Sequence, residues 1–203
     1  MRLDKIVIAT RNRGKFLEIK KLLAETNITV MSIDDFDDVP EVDEDGETFE
    51  DNALKKAHFV ASTLGIAALA DDSGLCVDAL SGRPGVMSAR YGGPDCDDNQ
   101  RYLKLLDEMK EVREPFRTAR FICVVALALP DGRYRLFKGV CEGRILTEPR
   151  GTGGFGYDPV FYNERFALSF GEMDSDTKNL VSHRAHALRM FVDFVKETGE
   201  TSF

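Results

Sequence analysis

The sequence has few of the features that mark exported, membrane-bound or nucleic-acid-binding proteins. No apolar run approaches the ~20 residues needed to span a bilayer, and no cleavable signal pattern precedes the strand-like segment from Ile6 to Ala9. The four cysteines contain no C-x-x-C pair, which argues against a zinc site and a disulfide framework. The net charge of −8 disfavours broad contact with nucleic acid phosphates. We therefore expect a cytoplasmic protein whose partners include neither membranes nor nucleic acids.

The chain does have the apolar content of a globular protein. Its 203 residues are 43% hydrophobic, which is enough for one large domain or two closely joined lobes. Lys5 to Ala9 is a predicted buried strand, and a stripe of apolar residues at helical spacing begins at Phe16. Two strand-like runs, 121–129 and 134–142, flank the turn sequence P-D-G-R, which predicts a hairpin.

Two adjacent carboxylates, Asp71 and Asp72, follow the apolar run from Ile66 to Leu69, where we expect a buried strand to end. Side chains alternate along a strand, so we expect only one of the two to face a cleft, while Ser73 and Gly74 let the chain turn. A carboxylate in that position can hold a metal ion. Alone, the motif also fits an ordinary acidic turn, but three further polar clusters favour a functional site. They are Thr10 to Lys15, Gly153 to Pro159, and Ser182 to Arg184.

The segment from Thr10 to Lys15 joins the first predicted strand to the first predicted helix. Gly14 permits close backbone approach, the helix start offers unpaired N–H groups, and Lys15 adds a full positive charge. These features are typical of a phosphate-binding loop, although the segment lacks the P-loop pattern. The alternative is a basic loop in which Asn12 simply caps the helix.

A second helix is predicted to begin at Thr48, which resembles the first residue of a capping box, and to end at Gly65. Lys56 lies off its apolar stripe, as most solvated lysines do. It gains a functional interpretation only if this helix borders Asp72. The loop before the helix has no Lys or Arg between Lys21 and Lys55 and is rich in acids, of which most are expected to be solvated.

Six motifs are distributed along the chain between residues 10 and 184. They are T-R-N-R-G-K at 10–15, T-F-E-D-N-A-L-K-K-A at 48–57, A-D-D-S-G-L at 70–75, P-G-V-M-S-A-R-Y at 84–91, G-T-G-G-F-G-Y-D-P-V-F at 151–161, and S-H-R at 182–184. In this order they resemble the inosine triphosphate pyrophosphatase family, which acts on noncanonical purine nucleoside triphosphates. The resemblance implies an α/β fold with a long, twisted mixed sheet flanked by helices. It also implies a single domain over residues 1–203, with two lobes around a central nucleotide cleft, and a homodimer.

The same resemblance assigns roles to matching residues. Asp72 would be the general base and a magnesium ligand, with Lys15 and Lys56 as the other catalytic side chains. Ser73 would touch the substrate. The triphosphate would be held by Thr10, Arg11, Asn12, Arg13, Gly14 and Lys15. The base and sugar would be framed by Phe155, Gly156, Tyr157, Asp158, Lys178, His183 and Arg184.

Magnesium is the implied cofactor, because a few carboxylates together with a triphosphate supply the hard oxygen ligands that Mg²⁺ needs. Glu44 is the best candidate for the second acidic ligand, and Asp43 and Glu41 are alternatives. Asp71 could share the metal with Asp72. Thr177 departs from the acidic residue that the family often has just before the motif lysine, Lys178, and this weakens the transfer of the local loop shape.

The implied activity is hydrolysis of inosine, deoxyinosine or xanthosine triphosphate to the monophosphate and pyrophosphate. Phe155 offers a stacking face, and His183 and Arg184 offer donors to a 6-keto oxygen. The 6-amino group of adenine would leave such donors unpaired, at a cost of about 1–3 kcal/mol each. Two alternatives are a septum-inhibitor-like pyrophosphatase, disfavoured by the S-H-R and G-F-G-Y-D-P motifs, and an inactive nucleotide sensor, disfavoured by Asp72, Lys15 and Lys56 together.

Overall fold

The structure is a computed structural model that describes residues 3–24, 26–37, 39–93 and 95–198. Seven strands form one sheet in the order β2-β1-β3-β4-β5-β6-β7. The strands are β1 (Lys5–Ile8), β2 (Thr29–Ser32), β3 (Ala68–Val77), β4 (Thr118–Ala128), β5 (Tyr134–Ile145), β6 (Phe161–Asn163) and β7 (Leu168–Ser169). The helices are α1 (Arg13–Leu22), α2 (Phe49–Leu64), α3 (Asp98–Glu108), α4 (Ser175–Val181) and α5 (His183–Thr198).

The sheet is mixed, as the resemblance implied. Strand β1 runs parallel to both β2 and β3, whereas β6 runs antiparallel to both β5 and β7. The predicted hairpin sequence connects β4 to β5, which are neighbours in the sheet, and the Leu129 N–H donates to the Arg133 carbonyl across the turn. The α/β fold class is therefore confirmed.

The chain divides into two compact units, each with its own core. The first unit contains residues 1–72, 123–139 and 184–203, and the second contains residues 73–122 and 140–183. Buried residues of β1, β4 and α5, among them Ile6, Val125 and Phe191, form the core of the first unit. Leu75, Phe161 and Phe170 belong to the core of the second. The expected single domain with a nucleotide cleft stays a prediction.

Local sequence signals set several element boundaries as expected. The Asn12 side chain accepts from the Lys15 N–H and caps α1, and the Thr48 side chain accepts from the Asp51 N–H and caps α2. Helix α2 ends at Gly65, whose φ of 64° lies in the left-handed region that glycine adopts without strain. Among the described residues, no helix combines the length and apolar character that crossing a bilayer requires.

Strand β3 differs from the sequence prediction. We expected the strand to end near Asp71, but it continues through Ser73 and Gly74 to Val77. Leu75 and Val77 are fully buried in the core of the second unit, and this packing favours continued extended backbone over a turn. The two carboxylates therefore lie inside a strand, where alternation directs them to opposite faces of the sheet.

Candidate active site

The start of α1 brings a lysine to the first carboxylate of β3. The Asn12 cap fixes the first turn of the helix, and the Thr10 hydroxyl accepts from the Asn12 N–H at 3.2 Å. From this turn, the Lys15 ammonium reaches Asp71, with 3.1 Å between Nζ and Oδ2. The alternative in which Asn12 only caps a basic loop thus explains the cap but not the direction of Lys15.

Asp71 is the centre of a buried ion network within the first unit. Its side chain is fully buried, and Oδ2 accepts from Nε and Nη2 of Arg184 at 3.2 and 3.1 Å. Arg184 also donates through Nη1 to Glu18, which lies three residues after Lys15 along α1. Burial alone raises the pKa of Asp71, but the positive charges of Lys15, Arg184 and Lys56 outweigh it, so that pKa lies far below its usual value. Asp71 is therefore ionised, and its carboxylate is paired with the side chains of Lys15 and Arg184.

Asp72 has a different environment. Its Oδ2 accepts from the side-chain amide of Asn52 at 3.0 Å, and its Oδ1 lies 4.0 Å from the Lys56 ammonium. Burial raises the pKa of Asp72, Lys56 opposes that rise, and the negative charge of Glu44 adds to it, so the net pKa shift is upward. An elevated carboxylate pKa is what a general base requires.

Lys56 connects α2 to strand β3 and to the acidic loop. Its ammonium donates to the Asp71 carbonyl at 2.8 Å and to the Glu44 carboxylate. Glu44 is half-buried, whereas Glu41 and Asp43, the alternatives named above, are exposed. The loop therefore turns Glu44, rather than either alternative, toward the lysine that also faces Asp72. We call Lys15, Glu44, Lys56, Asp71 and Asp72 the charged cluster.

The charged cluster fits a magnesium ion only in part. Among the described residues, no group of three or more His, Cys, Asp or Glu side chains could hold a metal on its own. Asp72 and Glu44 nevertheless meet at one ammonium, and both supply hard oxygen donors. Mg²⁺ commonly binds through one or two carboxylates, with waters and substrate phosphates completing its coordination. The donor set therefore suits Mg²⁺ bound together with a triphosphate. Asp71, held by Lys15 and Arg184, is the poorer ligand.

A second group of predicted residues meets within the second unit. The Asp158 carboxylate accepts from the Lys178 ammonium at 2.7 Å and from the Phe155 N–H at 2.8 Å. The same ammonium lies 4.6 Å from the centre of the Phe155 ring. A Cβ on Gly154, whose φ is +76°, would come within 2.0 Å of the Asp158 carboxylate, so this turn requires glycine. We call Phe155, Asp158 and Lys178 the aromatic cluster.

The residues around the aromatic cluster are held by further contacts of the second unit. The Tyr157 hydroxyl donates to the Ser88 carbonyl at 2.9 Å, and the Gly156 N–H donates to Asp98 at 2.8 Å. The buried His183 ring stacks on Phe121, with 4.6 Å between ring centres and 10° between planes. Stacking fixes the plane of the imidazole, so its ring nitrogens have defined directions.

Other predicted site residues lie outside the charged cluster and the aromatic cluster. Arg11 donates to Asp34 and to the Val39 carbonyl, Arg13 is exposed at the start of α1, and Ser73 is half-buried beside Asp72. Arg184 contacts Asp71 and Glu18 and so helps to order the charged cluster, while its expected role beside the base and sugar stays a prediction.

Sequence reasoning missed two participants. Glu18 carries no signal that distinguishes it from other helix acids. Asn52, in contrast, shares the buried face of α2 with Phe49 and Ala53, and a polar residue on an apolar stripe is a readable signal of a buried partner.

The chain is similar to known proteins over nearly its whole length. A sequence model described as the Ham1 family matches residues 6–194. The chain is 50% identical over 191 residues to a dITP/XTP pyrophosphatase of Geobacter sulfurreducens, covering 94% of this chain and 96% of that protein. It is 49% identical to a dITP/XTP pyrophosphatase of Desulforamulus reducens, covering 94% and 95%. The solved structure of a HAM1 protein from Coxiella burnetii superposes with a TM-score of 0.89 at 39% identity, covering 98% of this chain and 100% of that one.

Proposed function

The chain belongs to the Ham1 family, and we propose that it hydrolyses noncanonical purine nucleoside triphosphates to the nucleoside monophosphate and pyrophosphate. The substrates are inosine, deoxyinosine and xanthosine triphosphate, and removing them cleanses the nucleotide pool. The observation that carries this proposal is the charged cluster, in which Lys15 of the capped start of α1 pairs with buried Asp71 and Lys56 of α2 faces buried Asp72. These lysines and carboxylates favour a mechanism that stabilises charge on phosphates over one that uses a covalent nucleophile.

The triphosphate binds at the start of α1 and along the two lysines. Unpaired N–H groups and the helix dipole favour an anion at that end of the helix. Lys15 and Lys56 then neutralise the negative charge that spreads over the phosphoryl oxygens during transfer. Asp71 holds the Lys15 ammonium at 3.1 Å, which fixes the cation before substrate arrives.

Asp72 is the general base. It accepts a proton from a water molecule, whose oxygen forms a bond to the α-phosphorus while the α–β anhydride bond breaks. The electron pair of that bond leaves with pyrophosphate, and the proton stays on the Asp72 carboxylate until solvent removes it. The upward pKa shift that burial imposes on Asp72 increases its basicity.

A magnesium cofactor is also part of the proposal, with Asp72 and Glu44 as the protein ligands. When bound, Mg²⁺ supplies charge neutralisation on the phosphate oxygens. The support is the convergence of both carboxylates on Lys56 and the hard-oxygen chemistry of the pair. A cytoplasmic location, which rests on the sequence composition, and a homodimer, which rests on the resemblance, complete the proposal.

Base recognition is proposed for the aromatic cluster together with His183. The Phe155 ring offers a stacking surface, and the imidazole, held flat against Phe121, offers a donor to a 6-keto oxygen. Lys178, anchored on Asp158, adds a positive charge beside the Phe155 ring. A 6-amino group in place of the keto oxygen sets donor against donor, so we expect the site to discriminate against ATP.

Pyrophosphate release from a panel of nucleoside triphosphates tests this function. Inosine, deoxyinosine and xanthosine triphosphate should be hydrolysed in the presence of magnesium, and ATP should have a kcat/KM lower by at least about 100-fold. Pyrophosphate is measured with a coupled enzyme, and the nucleotide products are separated by ion exchange. Equal rates for ATP and inosine triphosphate, or no release from any of these nucleotides, would overturn the proposal.

A further inference from the structure

The buried amide of Asn52 is not among the groups that would touch substrate. Asn52 is 1% exposed and faces the protein interior from the beginning of α2. Burying an amide without partners costs about 1–3 kcal/mol, so its hydrogen bonds are worth following. These hydrogen bonds lie within the first unit, and they lead to the two segments that carry the proposed magnesium ligands.

The amide contacts two different segments. Nδ2 donates to Oδ2 of Asp72 on β3 at 3.0 Å, and Oδ1 accepts from the Gly46 N–H of the acidic loop at 2.8 Å. Nδ2 also lies 3.5 Å from the Gly46 carbonyl, to which it donates a longer hydrogen bond. The chemistry fixes this orientation, because a flipped amide would set its oxygen against the carboxylate and its NH₂ against the N–H of Gly46. Asn52 therefore links the loop that carries Glu44 to the strand that carries Asp72.

The acidic loop approaches Asn52 unusually closely. A Cβ on Gly46 would lie 2.7 Å from Oδ1 of Asn52 and 2.8 Å from Cβ of Asp51, so a larger residue there would displace the loop or the amide. One helical turn after Asn52, Lys56 makes a parallel connection from Glu44 to the Asp71 carbonyl. Residues four apart on a helix lie on the same side. Asn52 and Lys56 thus form two successive ties between the same loop and the same strand.

We propose that Asn52 is a positioning residue that fixes the Asp72 carboxylate and the acidic loop relative to each other, so that Asp72 and Glu44 engage one magnesium–triphosphate complex. The proposal rests on the proposed function, because it assumes that these two carboxylates are the metal ligands. Hydrogen-bond partners behind metal ligands set the ligands' orientation, and their removal typically lowers metal affinity or activity about 10–100-fold.

Binding of a nonhydrolysable substrate tests the proposal apart from turnover. The probe is inosine triphosphate with an imido bridge between the α and β phosphates, titrated by calorimetry with magnesium and with EDTA. Asn52→Ala should reduce the magnesium-dependent gain in affinity by about 10-fold or more and leave the affinity in EDTA within about twofold, because Lys15 remains in place. In steady-state assays, kcat should fall about 10–100-fold with a smaller change in KM.

Two further variants separate the contact of Asn52 with Gly46 from its contact with Asp72. Asn52→Asp keeps an acceptor for the Gly46 N–H but places a second carboxylate against Asp72, so its magnesium-dependent gain should fall at least as far as that of Asn52→Ala. Gly46→Ala disturbs the loop while leaving the Asn52 side chain intact, and it should reproduce the loss. Gly46→Ala also carries the test if Asn52→Ala does not fold.

Asn163→Ala is the matched control. Asn163 is a buried asparagine of the second unit that contacts Cys141 and Phe166. Its removal should lower the melting temperature without changing the magnesium-dependent gain. A wild-type gain in the folded Asn52 and Gly46 variants, in a protein that releases pyrophosphate, would overturn the positioning proposal alone. A wild-type protein that releases no pyrophosphate would instead overturn the proposed function.

Discussion

Neutralising Asp71 should destabilise the protein far more than breaking a surface ion pair. Its carboxylate is fully buried and lies 3.1 Å from both Lys15 and Arg184. At an effective dielectric constant of about 20, two unit charges 3.1 Å apart attract by about 5 kcal/mol. The loss of solvation on burial cancels part of that attraction. When Asp71 is neutralised, Lys15 and Arg184 still bear their own desolvation cost but lose the attraction that offset it. In Asp71→Asn, Arg184 loses the counter-charge of Asp71 and keeps its ion pair with Glu18.

Removing one member of a buried ion pair typically costs about 3–5 kcal/mol, and we expect the free energy of unfolding of Asp71→Asn to fall by that amount. The chain has no tryptophan, so urea denaturation is best followed by far-UV circular dichroism. Asp34→Asn is the control, because Asp34 makes a 2.8 Å ion pair with Arg11 but is mostly exposed. That change should cost no more than about 1 kcal/mol. Equal losses in the two variants would refute the reasoning.

The pH dependence gives an independent check. Because the folded-state pKa of Asp71 is depressed, its contribution is fully present above the unfolded value of about 4 and is lost as pH falls below it. The stability of the wild type should therefore decline below pH ~4, and Asp71→Asn should decline less steeply over that range. Identical acid profiles would mean that Asp71 is not ionised in the folded protein.

Three other measurements bear on the site. Asp72→Asn should lower kcat by about 10²–10⁴-fold. The raised pKa of Asp72 means that its ionised carboxylate destabilises the fold, so the stability of this variant at pH 7 should equal or exceed that of the wild type. A large loss of stability would contradict this. EDTA should abolish pyrophosphate release without altering the circular dichroism spectrum, and magnesium should restore it; activity that survives EDTA would exclude the metal role. His183→Ala should lower kcat/KM for inosine triphosphate by at least about 10-fold and for ATP much less; an unchanged ratio would place base recognition on other groups.

Much of the fold could be predicted because its signals are local. The caps at Asn12 and Thr48 and the stop at Gly65 depend on residues within one turn of each helix. The length of β3 could not be predicted in this way. Leu75 and Val77 continue that strand because they pack in a core built from distant segments, and turn-forming residues such as Ser73 and Gly74 do not outweigh that packing.

The candidate site likewise combines residues that local motifs indicate with contacts that only the tertiary fold determines. Lys56 and Glu44 could be nominated from motifs, but the selection of Glu44 over its neighbours depends on which loop side chains face α2. Arg184 shows the limit most clearly. Its motif gave no indication of its partners Asp71 and Glu18, which lie 113 and 166 positions away in the chain, and the expected contact with the base stays a prediction. Contacts over such distances are set by the tertiary fold and leave no local pattern.

Hydrolysis of inosine triphosphate in ¹⁸O-labelled water is the most direct test of the central claim, because it reports both the bond that breaks and the atom that water attacks. If Asp72 directs water to the α-phosphorus, the label should appear in inosine monophosphate and the pyrophosphate should be unlabelled. Mass spectrometry of both products after a single turnover distinguishes the outcomes. Labelled orthophosphate with accumulation of inosine diphosphate, or label in pyrophosphate, would contradict the account.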